Sequence, residues 1–153
     1  MAILSREAYE GKRRWADARM AANAEIDTLT PEQHETLAWL CRIRHEMHTH
    51  QEAFFFNESS EHDEFWNCVE SDDGTDIDSR LREVGLPGIR FPGAAENYIT
   101  DSTWRDDGYE TIEEAESESV AFAERINSII EIYLTKIDTE HGTNYAPSGE
   151  TRL

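Results

Sequence analysis

The chain has 153 residues, 33 of them acidic and 14 basic, for a formal net charge of −19. That length suits a single domain spanning 1–153 with a core of its own, and 38% hydrophobic and 10% aromatic content excludes a disordered chain. The charge excludes direct binding to nucleic acid or to an anionic membrane, and it attracts a basic partner.

The pattern of apolar residues predicts an all-α fold. It is a small helical bundle of three long helices (about 6–27, 31–55 and 112–140) and two short ones, with an irregular, loop-rich segment near 86–110. Ser5 is placed to cap the first helix, whose expected apolar stripe is Ala8, Gly11, Trp15, Ala18, Ala22 and Ile26, at three- and four-residue steps. Lys12, Arg13, Arg14 and Arg19 form the chain's one basic patch, but Glu7, Glu10 and Asp17 interleave with it, so it reads as a solvated face. The short connection at Leu29 and Thr30 predicts an antiparallel hairpin with the second helix.

The second helix has the clearest start in the chain. Thr30, Pro31 and Gln33 spell a capping box with proline at the first helical position. Leu37, Leu40, Met47, Phe54 and Phe55 fall on one side, with Arg44 among them. His34, Cys41, His45, His48 and Glu52 share a narrow strip.

Residues 57–60 read as a turn and 61–70 as a short helix carrying Phe65, Trp66 and Val69 inward. The acidic loop around Gly74 is not an EF-hand. Aligning Gly74 with the glycine of that loop puts Val69 and Arg80 at the first and last ligand positions. Asp76 or Asp78 then caps a helix ending at Val84, with Gly85 past its end and Pro87 preventing continuation. Pro87, Gly88, Pro92 and Gly93 punctuate the next stretch around a short extended triplet, Ile89 to Phe91. Thr111 and Glu114 spell a second capping box. It opens a helix with the stripe Ile112, Ala115, Ser119, Phe122, Ile126, Ile129, Ile130, Tyr133 and Ile137, and Gly142 is its stop. Tyr145 and Pro147 are placed to pin the end of the chain to the body.

No apolar run approaches the roughly eighteen residues of a membrane span, and the N-terminus has no signal-peptide core. Cys41 and Cys68 make no disulfide framework, so the expected state is two reduced thiols in a cytoplasmic protein.

The search for chemistry returns no complete site. There is no Walker A, GxGxxG or GxSxG motif. Cys41, His45 and His48 are acceptable zinc ligands on one helix face, but no CxxC, HExxH or Glu-x-x-His pattern completes a tetrahedral set. Neither metal nor cofactor is expected. ExxE pairs occur at Glu7/Glu10, Glu32/Glu35, Glu58/Glu61, Glu61/Glu64, Glu110/Glu113 and Glu113/Glu116. All-α nucleotide pyrophosphohydrolases join such a pair to a later ExxD across a helix hairpin. The one ExxD here, Glu70 to Asp73, follows Glu61 and Glu64 too soon and runs into a glycine turn. Catalysis is therefore not expected, and a metal-dependent all-α hydrolase is the remote alternative.

What stands out is how the charge is distributed. Residues 1–45 hold seven acidic and seven basic side chains, whereas 46–153 hold 26 and seven. Windows 58–78 and 106–118 contain nine and seven acids and no Lys or Arg. Salt adaptation is one explanation, since lysine occurs only twice, but Ile outnumbers Val twelve to three and Glu outnumbers Asp 22 to 11, leanings opposite to those of halophiles.

The leading expectation is a non-catalytic binding protein whose carboxylates occupy a basic surface of a protein partner, such as a nucleic-acid-binding enzyme or complex. The candidate contacts are Glu61, Asp63, Glu64, Asp72, Asp73, Asp76, Asp78, Asp106, Asp107, Glu113, Glu114 and Glu118. In size, acidity and lack of a catalytic motif the chain resembles phage-encoded anti-restriction and anti-CRISPR proteins, a likeness of composition that implies nucleic-acid mimicry. The competing expectation is a structural protein that assembles into homo-oligomers.

Overall fold

Four helix ends sit where the local signals put them, the starts after Thr30 and Thr111 and the stops at Gly85 and Gly142. In a computed structural model, which describes residues 6–49, 67–69, 73–92 and 103–147, the chain forms α1 (Arg6–Ala24), α2 (Pro31–Thr49), α3 (Ile77–Glu83) and α4 (Ile112–His141). The described residues contain no strand, so the fold is all-α as the periodicity predicts. Several expectations lie outside the described residues. These are the Ser5 cap, the extension of α2 to Phe55, the 57–60 turn, the side chains of Ala8, Gly11, Trp15, Met47 and His48, and most of the 61–70 helix. Residues 67–69 of that helix are described; they are helical, and Val69 is buried. No described helix is long and apolar enough to cross a membrane.

The Thr30 capping box forms in full. Gln33 N–H donates to Thr30 Oγ1 at 3.1 Å, and Thr30 N–H donates to Gln33 Oε1 at 2.8 Å, satisfying two backbone donors with no helical partner. Gln33 also works at long range, donating from Nε2 to the Val84 carbonyl at 3.0 Å and so tying the start of α2 to the end of α3. That end is a Schellman motif. Leu86 N–H reaches Leu81 O at 2.9 Å, Gly85 N–H reaches Arg82 O at 3.0 Å, and Gly85 takes the positive φ of 83° that glycine permits. Leu81 and Leu86, on either side of the motif, are both buried.

At α4 the Thr111 hydroxyl accepts from Glu114 N–H at 3.2 Å, and Gly142, at φ 73°, stops the helix with its N–H on Asp138 O. The core face of α4 is Ala115, Ser119, Phe122, Ala123, Ile126, Ile130, Leu134 and Ile137. It is rotated slightly from the expected stripe. Ala123 and Leu134 enter it, while Ile112, in the first turn, is 41% exposed.

α2 touches α1, α3 and α4 and is the helix on which the others assemble. Leu37, Leu40, Ile77, Leu81, Phe122, Ile126, Ile130 and Leu134 form the centre of the core. Each contributes roughly 1.5–3 kcal/mol of burial before chain entropy is set against it.

α1 departs from expectation. Ala18 and Ala22 are exposed, while Arg19 and Asn23 are buried. Asn23 meets a polar group from far along the chain: its Oδ1 accepts the backbone N–H of Asn144 at 2.7 Å. Arg19 therefore does not belong to the exposed basic patch.

Residues 142–147 form a strap over α2 and α4. The Asp138 carboxylate gathers it, accepting from Thr143 Oγ1 (2.7 Å), Tyr145 N–H (2.8 Å) and Ala146 N–H (2.8 Å). Arg44 donates to the Ala146 carbonyl and pairs with Glu131 at 3.3 Å. Tyr145, 2% exposed, pins the strap as expected. Asp78 does a similar job at the other loop, accepting Ile89 N–H at 2.9 Å while paired with Arg82 at 3.0 Å. A Cβ at Gly88 would collide with both of these side chains.

Candidate functional site

The outward face of α2 carries Glu32, Glu35, Thr36, Trp39 and Arg42, spaced so that they share one side of the helix. They form one wall of a cleft of about 600 Å³. Gly74, Thr75, Arg80, Glu83 and Val84 form the other, and the Gln33 bond to Val84 holds the two walls together. Within the cleft the Arg80 guanidinium lies over the half-buried Trp39 ring, 4.6 Å from its centroid, a favourable cation–π distance. Its Nε donates to Thr75 O at 3.1 Å. Thr75 is in turn fixed by Asp73, whose Oδ1 accepts its N–H (3.1 Å) and its hydroxyl (2.6 Å). The lining residues thus include three glutamates (Glu32, Glu35, Glu83) and two arginines (Arg42, Arg80).

Of these residues only Asp73 is among the predicted contacts, and Glu32 and Glu35 enter the sequence reading only as one of the ExxE pairs. The Glu32/Glu35 spacing, continued to Trp39 and Arg42, is the one sign of this face. The α3 wall has no counterpart in the local pattern.

The twelve predicted contact residues fall into three groups. Glu61, Asp63, Glu64 and Asp72 lie outside the described residues. Asp73, Asp76 and Asp78 sit around the start of α3. Of these, Asp73 and Asp78 hold the loops just described, and Asp76 occupies the N-cap position without a side-chain cap bond.

Asp106, Asp107, Glu113, Glu114 and Glu118 are all exposed. Residues 103–108 form a single turn closed by Gly108 at φ 91°, with Tyr109 N–H on Trp104 O at 3.4 Å. Trp104 and Tyr109 pack on the buried Ala115 of α4. This packing brings the turn and the helix into one electrostatic neighbourhood. The Tyr109 phenol is pushed above its ordinary value, first by partial burial and then by the charges of Glu118 and Asp107.

Two side chains of the Cys41, His45 and His48 strip are among the described residues. Cys41 Sγ donates to the Tyr145 carbonyl at 3.3 Å, and His45 Nδ1 is buried without a hydrogen-bond partner. The backbone of His48 is within α2, but its side chain is outside the described residues. Among the described residues no three His, Cys, Asp or Glu side chains converge as a metal would require.

His34, from the same strip, is buried and structural. Its Nε2 faces the Ile26 carbonyl at 2.7 Å, and its Nδ1 faces the Tyr145 hydroxyl at 2.7 Å. A carbonyl can only accept, so Nε2 carries a proton, and in the neutral ring Nδ1 accepts from Tyr145. Burial, followed by the electrostatic influence of the neighbouring Cys41 and Asp138, pushes the Tyr145 phenol well above its ordinary value and keeps it a donor. Cys41 and Cys68 are not joined in a disulfide.

No protein-family model, curated protein or solved structure matches the chain.

Proposed function

We propose that the protein is a non-catalytic acidic binder that occupies a basic, nucleic-acid-binding surface of a protein partner. The observation that carries this reading is the density of carboxylates at the start of α4. Glu113, Glu114, Glu116 and Glu118 fall within five residue steps. At 1.5 Å per residue this is roughly one negative charge per 2 Å of helix axis. Duplex DNA carries about one per 1.7 Å. Of these four Glu116 is half-buried and the others are exposed, and the exposed Asp106, Asp107 and Glu110 extend the run through the preceding turn. Arg105, next to it, lies over the Trp104 ring at 4.9 Å. A basic cleft senses charge within about 8 Å at physiological salt, so local density matters more than the total.

Self-assembly has one specific observation in its favour, Ile132, which is 70% exposed on the outer face of α4. A lone exposed aliphatic side chain is ordinary on a protein surface, and among the described residues the other exposed large apolar side chain is Ile112, twenty positions away.

The test is competition. A partner captured from host extract at low salt should be released by duplex DNA and should bind with an affinity that falls steeply as salt rises. Binding that is indifferent to both DNA and salt would contradict the reading.

A further inference from the structure

We draw no further inference here: the strongest candidate, the 142–147 strap that seats Tyr145 against His34 and is held by Asn23, Arg44 and Asp138, closes the end of α4 onto α1 and α2, and nothing in the structure shows what would open it or take its place.

Discussion

Asp138 and Glu118 are both carboxylates on α4, and their surroundings could hardly differ more. Asp138, near the end of the helix, is half-buried and accepts three hydrogen bonds from the 142–147 strap. Glu118, near the start, is exposed in an acid-rich run with no lysine or arginine from 106 to 118. The first closes a loop against the core and the second leaves its charge to the solvent. A net charge of −19 is therefore not one property with one role. Asp138 and Asp78 hold loops, and the 106–118 acids generate the field a basic partner would meet.

The sharpest way to break the comparison is to remove Asp138. Asp138→Ala strands the backbone N–H groups of Tyr145 and Ala146 and releases the strap. A charge-assisted hydrogen bond contributes about 1.5–3 kcal/mol, so the loss should be about 3 kcal/mol or more in urea denaturation. A change under about 0.5 kcal/mol would mean that the strap is not held by that carboxylate.

Tyr145 sharpens the same end. Tyr145→Phe keeps the ring and removes the donor to His34, so it should cost about 1–2 kcal/mol. The phenol also gives the region a pH signature. An unfolded tyrosine loses its proton near pH 10, and burial raises both Tyr145 and Tyr133 above that value in the folded chain. Between the two values the unfolded chain binds fewer protons. The contribution is therefore fully present below about pH 10 and is lost as pH rises beyond it. Absorbance at alkaline pH should show these tyrosines ionising late and together with unfolding. Tyr133, whose hydroxyl donates to Pro87 O at 2.6 Å, should behave in the same way.

At the other end of α4 the expected effect on stability is smallest. Glu118→Gln should change stability by within about 0.5 kcal/mol, as for most surface substitutions.

Much of the fold is legible in the sequence because its signals are local. Thr30 with Gln33, Thr111 with Glu114, Gly85 and Gly142 act within one helical turn, and all four mark real helix ends. What was not legible depends on distant partners. Ala18 and Ala22 fit an apolar stripe better than Arg19 and Asn23 do. α1 nevertheless buries Arg19 and Asn23, and the Asn23 Oδ1 accepts the backbone N–H of Asn144, 121 positions away. Asp138 looks like one more surface acid until the strap returns to it. His34 looks like one more polar residue of its strip until Tyr145 and the Ile26 carbonyl claim both ring nitrogens. The Trp39 cleft was half visible, as a helix face with Glu32, Glu35 and Arg42, but the α3 wall that completes it depends on the packing of a seven-residue helix.

The central claim is that the exposed acids at the start of α4 are the binding surface. The most direct measurement compares partner capture by the wild type, by Glu113→Lys/Glu114→Lys/Glu118→Lys and by Glu7→Lys/Glu10→Lys, each shown to be folded, at one low salt concentration. The first triple reversal should abolish capture, while reversal in the charge-balanced first helix should leave it nearly unchanged. Capture that survives the α4 reversals would contradict the account and assign the interface to another surface of the molecule.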